Sequence, residues 1–503
     1  MPNNYMLFQT MSNNQYLYDA LTNTIHPWNA PLNEAFTEEL YNTSDDGLDK
    51  LRFQEGEGLS ESMKRYIHIW RAKTNAFRNT DNQHKKLYFD SYKSLPESKK
   101  GLYINADLVL VVSEQCNLRC KYCTYSDTYE SYREHTNNLM TFTVAKKAID
   151  TFYKYNNQKE YEGYADRNLN VLFYGGEPLC NFDLIKDAVN YAKKNKKDYY
   201  GLILSIVTNL TLLTKEMLKF LRDEDIFLCV SLDGPEEEHD RYRVFEDGSK
   251  TAEIVFDKLH MIREFDKEYY NTNVRFQPTI NGNSDIKKVY DFFSDNEEYA
   301  KLQLISVLKD LDCGEFHKIY PYDKETFQES IHALHEVYME KKIKGTSFDR
   351  LDFLYHFIDK ELNDIFHRMH GINESMEWYT GTCIPKRKLA ISPNGNIMLC
   401  ERINEQFQLG NIMDCYNEEL ALDLLNKYFD SLPECSKCWA RKFCKLCIAT
   451  VCSDFKFESH CNREKRKAKS NLAVIYSILE KNPKAFISTD PLIYKGTNNR
   501  EGE

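Results

Sequence analysis

Cys116, Cys120 and Cys123 share one short stretch, "SEQCNLRCKYCTYS", in a C-x3-C-x2-C spacing. Closely spaced thiolates bind metals, but a structural zinc takes four protein ligands and a disulfide takes two. Three thiolates leave one position for something else. Eight more cysteines crowd the C-terminal region: Cys383, Cys400, Cys435, Cys438, Cys444, Cys447, Cys452 and Cys461. There, "CSKCWARKFCKLC" carries two C-x2-C pairs, and "CIPKRKLAISPNGNIMLC" sets Cys383 and Cys400 around an Asn-Gly hairpin turn. An iron–sulfur cubane takes four thiolates, so three cubanes need about twelve, or eleven with one iron left to a non-protein ligand. The loop and the C-terminal group together supply that number. The alternative for the C-terminal pairs is one or two zinc ribbons. Cys229, inside the apolar "FLCVSL", reads as a small core residue.

The elements that must position these thiols follow a repeat. From 104 to 310, apolar runs ("INADLVLVVS", "LNVLFYG", "GLILSIVTN", "IFLCVSLDG", "VRFQPTI", "LQLISVL") alternate with amphipathic stretches such as "FTVAKKAIDTFYKYN" and "FDLIKDAVNYAKKN". Six β/α units of nearly all-apolar strands predict a parallel sheet covered by helices, an open (β/α)6 barrel of TIM-like type. Ligand sites in such folds lie at the C-terminal ends of the strands, and the three-cysteine loop follows the first strand.

Around this α/β core the sequence divides into a small α+β domain (1–80), a polar linker (81–103), a helical bridge (311–382), a cysteine-rich domain (383–465) and a C-terminal helix and tail (466–503). A net charge of −11 disfavours a nucleic-acid surface. No apolar run approaches the ~20 residues that span a bilayer, and "MPNNYMLFQTMSNN" lacks the features of a signal peptide. The expectation is a cytoplasmic protein, where fifteen cysteines are more readily metal ligands than disulfides.

The loop, with aromatic Tyr122 before its last cysteine, resembles the motif of the radical S-adenosylmethionine (SAM) enzymes. That resemblance implies a 4Fe–4S cluster on Cys116, Cys120 and Cys123. SAM would chelate the remaining iron, and its reductive cleavage would yield a 5′-deoxyadenosyl radical. "FYGGEPL" is similar to the family's glycine motif, with Gly175, Gly176 and Glu177 near the SAM amino group. "TNLTLLT" (Thr208, Asn209) and "SLDGPEEEHDRYR" (Ser231, Arg243) resemble its third- and fourth-strand motifs, which contact SAM. The C-terminal pattern is similar to the SPASM extension, which carries two auxiliary 4Fe–4S clusters. By that resemblance Cys435, Cys438, Cys444 and Cys461 hold one, and Cys383, Cys400 and Cys447 hold the other, with Cys452 completing it or leaving one iron open. Two residues rather than three separate Cys444 from Cys447, a departure from the pattern.

SPASM enzymes mostly act on peptides or proteins. The chain looks most like maturases of ribosomally made peptides, which forge thioether or carbon–carbon crosslinks. The N-terminal domain is then a module that binds a precursor's leader as an added strand, and a flavodoxin or ferredoxin supplies electrons. The alternative is an anaerobic sulfatase-maturating enzyme making formylglycine. Those enzymes carry an Asp base after the cysteine matching Cys400, where this chain has Glu401. The non-enzyme alternative is a zinc or iron–sulfur scaffold.

Overall fold

The computed structural model describes residues 5–20, 23–28, 107–126, 133–156, 167–198, 200–307, 314–368, 388–402, 408–416, 419–420, 423, 438–445 and 458–487. Residues 29–80 of the expected α+β domain, the linker and residues 488–503 of the tail lie outside them, as do Cys313, Cys383, Cys435, Cys447 and Cys452.

Runs of Val, Leu and Ile form the parallel strands: β4 (Asp107–Ser113), β5 (Arg167–Gly175), β6 (Tyr200–Thr208), β7 (Phe227–Val230) and β8 (Val274–Phe276). They pair in sequence order, with Leu110 opposite Phe173, Leu172 opposite Ser205, and Cys229 between Val207 and Arg275. Helices return the chain between them: α1 (Phe142–Asn156), α2 (Phe182–Asn195), α3 (Lys215–Asp223) and α4 (Ala252–Phe265), with α5 (Ile286–Asp295) beyond β8. The first two match the amphipathic stretches read from the sequence. Asp285 and Thr214 cap α5 and α3 by accepting from the backbone N–H groups of Lys288 and Met217 at 3.1 and 3.2 Å.

Alternate residues of each strand divide between two environments. Val171, Phe173, Leu204 and Ile206 are fully buried under the helices, in one core with Ala148, Ile185 and Leu218. On the opposite face, Val109, Leu172, Tyr174, Ala390 and Met398 form a separate cluster lining the inside of the curved sheet. Leu172, Tyr174, Ile203, Ser205 and Val207 are only half-buried there.

The sixth run, "LQLISVL", lies parallel to the fifth as expected: Leu302 bridges Phe276 of β8, and β10 (Ser306–Val307) pairs with β9 (Thr279–Ile280) in a short two-stranded sheet. The central sheet gains a parallel neighbour on the other side of β4: β11 (Leu389–Ile391), with Ala390 opposite Val109. The Asn-Gly hairpin joins β11 to β12 (Asn396–Met398), and β13 (Gln408–Asn411) and β14 (Cys415–Tyr416) continue antiparallel, giving nine strands. Local apolarity marked a strand correctly at β11 but could not name its partner.

Helices follow at α6 (Lys324–Ile343), α7 (Lys360–Phe366) and α8 (Glu458–Leu479). At the N-terminus β1 (Tyr5–Gln9), β2 (Gln15–Asp19) and β3 (Thr24–Pro27) form an antiparallel sheet. It packs on α8: Tyr16 and Tyr476 rings lie 4.7 Å apart, and Thr10 Oγ1 and Tyr16 Oη donate to Glu480 at 2.9 and 3.1 Å. Among the described residues no helix is long and apolar enough to cross a membrane.

One buried carboxylate shapes the chain after the cysteine loop. Glu114 accepts from Arg133, from Thr136 Oγ1 at 2.7 Å and from Asn138 Nδ2 at 3.0 Å. Both Glu114 and Arg133 are buried. Glu114→Ala removes the anion facing a buried guanidinium and is expected to cost about 3–5 kcal/mol. Equilibrium denaturation of the purified protein measures this, and Glu114→Gln should fall between the two.

Candidate active site

The loop of Cys116, Cys120 and Cys123 leaves the end of β4 and is held from three sides. Arg119 and Lys121 backbone N–H groups donate to Val244 and Tyr242 carbonyls at 2.8 and 3.0 Å. Asn117 Nδ2 donates to Thr211 Oγ1 at 2.8 Å, and Asn209 Nδ2 donates to Asn117 Oδ1 at 3.0 Å. The third side is the glycine pair after β5. A Cβ on Gly175, whose φ is +155°, would stand 2.1 Å from the Ser113 carbonyl oxygen, and one on Gly176 2.6 Å from that of Gln115. The backbone N–H groups of Gly176 and Glu177 donate to those same carbonyls at 2.8 and 2.9 Å. These glycines therefore let β5 close on the root of the cysteine loop, a role beside the SAM contact expected of them.

Donors surround the sulfurs. Leu118 N–H lies 3.4 Å from Cys116 Sγ, and Tyr125 N–H lies 3.4 Å from Cys123 Sγ. Asn209 Nδ2 is 3.8 Å from Cys116 Sγ and Arg243 Nη1 is 3.9 Å from Cys120 Sγ. Burial raises all three thiols, Cys120 to about 12 despite the opposing Arg243 charge, so the metal-free loop is protonated. Metal binding displaces such protons, and N–H groups aimed at sulfur then stabilise the thiolates. Three thiols with N–H donors and one guanidinium suit a thiolate-bound cluster.

Arg243 and Tyr122 meet at a residue that sequence reasoning passed over. Asp233, buried in the turn after β7, accepts from the Tyr122 hydroxyl and, through Oδ1, from Thr279 N–H at 2.9 Å. Arg243 Nε lies 3.2 Å from Asp233 Oδ2, and the guanidinium sits 5.6 Å from the Tyr122 ring centre. Arg243 is thus a buried ion-pair residue whose fork still reaches a loop sulfur. The signal for Asp233 was present in "SLDG", two residues after Ser231. Ser231 is half-buried beside Thr208, to whose carbonyl its N–H donates at 2.9 Å.

Glu177 is buried and fully engaged. It accepts from Leu179 N–H at 3.0 Å, Thr208 Oγ1 at 2.7 Å and Asn209 N–H at 2.8 Å, bracing the end of β5 against the end of β6. Tyr125 was also missed: it is buried beside Arg133, and its hydroxyl has no hydrogen-bond partner among the described residues.

The structure therefore brings together Cys116, Cys120, Cys123, Tyr122, Gly175, Gly176, Glu177, Thr208, Asn209, Ser231 and Arg243. Cys400 and Glu401, beyond β12 and beside Lys388 at the start of β11, reach the same inner face: Tyr174 lies within electrostatic reach of them and of Cys123. Glu401 is ion-paired with Lys388. Burial would raise its carboxyl, but the ammonium overrides this and holds it low. Cys438, Cys444 and Cys461, like Cys400, are partly buried against the main core.

Residues 110–293 match the model of the radical SAM superfamily. The chain carries a radical SAM domain. That family implies SAM and a 4Fe–4S cluster, which together supply a carbon radical able to abstract hydrogen. The scaffold reading kept from the sequence falls with this match. A cysteine-type anaerobic sulfatase-maturating enzyme of Clostridium novyi is 25% identical over 345 residues, covering 66% of this chain and 84% of the relative. The radical SAM cyclopropyl synthase TigE of Paramaledivibacter caminithermalis is 24% identical over 361 residues, covering 68% of this chain and 67% of the relative. The solved structure of Streptococcus suis SuiB bound to precursor peptide SuiA has a TM-score of 0.45 and 17% identity, covering 90% of this chain and 96% of that one.

The Glu177 environment predicts a pH effect. Desolvation outweighs its three donors and raises its carboxyl from 4.5 to about 7. Between those values the folded state holds a proton that the unfolded state has lost, so this group's contribution to stability falls as pH rises through the window. Urea denaturation of metal-free protein from pH 4.5 to 8 is expected to show this slope, and Glu177→Gln to flatten it.

Proposed function

We propose that this enzyme matures a ribosomally made precursor peptide, abstracting hydrogen from it and closing a thioether or carbon–carbon crosslink. Cys116, Cys120 and Cys123 hold the SAM-binding cluster, with Gly175, Gly176, Thr208, Asn209, Ser231 and Arg243 around the SAM. Two auxiliary clusters occupy the C-terminal cysteines, one on Cys435, Cys438, Cys444 and Cys461, the other on Cys383, Cys400 and Cys447 with Cys452. A flavodoxin or ferredoxin delivers electrons.

The observation that carries this reading is the N-terminal sheet. Its strands are built onto α8, the helix that bears Cys461, and the Tyr18 ring of β2 lies 4.8 Å from that of Phe443, tilted by 50°, with Phe443 between Cys438 and Cys444. A sheet of outer strands β1 and β3 is the kind of element that holds an extended leader by strand addition. Here it is fastened to the cysteine-rich part of the chain.

The second reading, formylglycine formation on a sulfatase, draws on the Clostridium relative and its 25% identity. Products separate the two. A thioether forms when a cysteine sulfur bonds to a carbon and two hydrogens leave, whereas formylglycine formation turns a cysteine into an aldehyde. High-resolution mass spectrometry of each candidate substrate, after anaerobic incubation with SAM and dithionite, distinguishes them.

Cys120→Ala is expected to abolish 5′-deoxyadenosine formation, because the loop cluster loses a ligand. Cys438→Ala should retain part of that cleavage while peptide modification stops. Unchanged product from Cys438→Ala would refute a required auxiliary cluster.

A further inference from the structure

Arg368 follows α7 and carries its charge into the protein. The guanidinium carbon lies 5.8 Å from the Tyr18 ring centre and 5.3 Å from that of Phe443. Nε donates to Asn23 Oδ1 at 2.8 Å and Nη1 to the Ile365 carbonyl at 2.6 Å. Among the described residues the buried Nη2 has no hydrogen-bond partner, and no carboxylate forms an ion pair with this side chain. The neighbouring charges are mostly like its own: Lys442 lies within its electrostatic reach, and the Asp19 carboxylate acts on Lys442 and Tyr18 without pairing with Arg368. A guanidinium taken out of water without an anion is costly, and such charges persist where an anion faces them.

The surroundings say where that anion belongs. Phe443, the ring closest to Arg368, directly precedes Cys444 and closes the turn that begins at Cys438. The turn itself adds Arg441 and Lys442. Cys438, Cys444 and Cys461 pack against the same core that holds Tyr18 and Phe443. The Tyr18 hydroxyl, which donates to Asn23 Oδ1 at 2.9 Å, lies within electrostatic reach of both Arg368 and Cys438. Two residues of the N-terminal sheet therefore fix a cation in place next to the cysteine turn.

We infer that Arg368 is the buried counter-charge of the iron–sulfur cluster that Cys438, Cys444 and Cys461 help to hold, locked in position by Tyr18 and Asn23. The inference rests on the auxiliary-cluster reading above. It makes the N-terminal sheet part of that cluster's housing as well as a recognition element. A fixed cation favours the more negative, reduced form of a cluster, so Arg368 raises its midpoint potential. It is a positioning residue and acts through charge.

The test is an EPR-monitored redox titration of the anaerobically loaded full-length protein, in a Cys120→Ala background that silences the loop cluster. Arg368→Gln is expected to lower the reduced-to-oxidised ratio at fixed potential about tenfold, ~59 mV for a one-electron couple. Arg368→Lys, which keeps the charge, should recover most of it. A second readout is thermal: Arg368→Met should stabilise the metal-free protein, by removing an unpaired cation, and destabilise the loaded one. An unshifted potential in Arg368→Gln with full iron content overturns the inference and leaves the auxiliary cluster standing. A Cys120→Ala protein that binds no iron overturns both.

Discussion

Asp233 is the point on which the cysteine loop depends. One carboxylate joins the Tyr122 hydroxyl from the loop, the Arg243 guanidinium from the segment after β7, and the Thr279 N–H at β9. Ring contacts extend the same junction, with Tyr122, Tyr242 and Phe316 packed edge to face. A buried ion pair of this kind adds little net stability, because desolvation offsets the attraction. What it does fix is orientation: with Nε 3.2 Å from Asp233, Arg243 turns Nη1 to 3.9 Å from Cys120 Sγ. The positive charge beside the loop is thus set by a residue that touches none of the three sulfurs.

The opposite wall of the site is set by exclusion. Gly175 and Gly176 admit the Ser113 and Gln115 carbonyls at distances that no side chain permits. Closing β5 onto the loop root also hands the Glu177 carboxylate to donors from β6 and the residues after it. Backbone contact and side-chain bracing are therefore two consequences of one close approach. The loop root cannot shift against β5 without breaking both.

The sequence carried the local features well. The C-x3-C-x2-C spacing, the amphipathic period of α1 and α2, and the Asn-Gly hairpin are all short-range patterns, and each stands in the structure. Long-range polar partnerships left no comparable trace. Nothing near Glu114 announces Arg133 and Asn138 as its donors, and nothing near Asp233 announces Tyr122. Strand partnership was legible where it followed chain order: the run at 302–308 lies parallel to the fifth run, as the repeat implies. The place on the other side of β4 goes to β11, from a distant part of the chain, and no local pattern announced it. Arg368 was invisible as a functional candidate because its meaning lies in what fails to pair with it.

Two buried glutamates show how environment divides their capacity to take a proton. Glu177 faces hydroxyl and amide donors, and burial raises it to about 7. Glu401 faces the Lys388 ammonium and is held low. A base gains strength as its pKa rises, so by that measure Glu177 is the stronger, but its oxygens already serve Leu179, Thr208 and Asn209. Glu401 lies toward the half-buried inner face, where Tyr174 feels both Cys123 and the Cys400–Glu401 pair. For Glu401 to accept a substrate proton, the Lys388 contact must loosen, since the ammonium stabilises the carboxylate and not the acid. Were Glu401 the base, its strength would be set by the Lys388 pair, and a substrate group that drew Lys388 away would raise its basicity as it arrived.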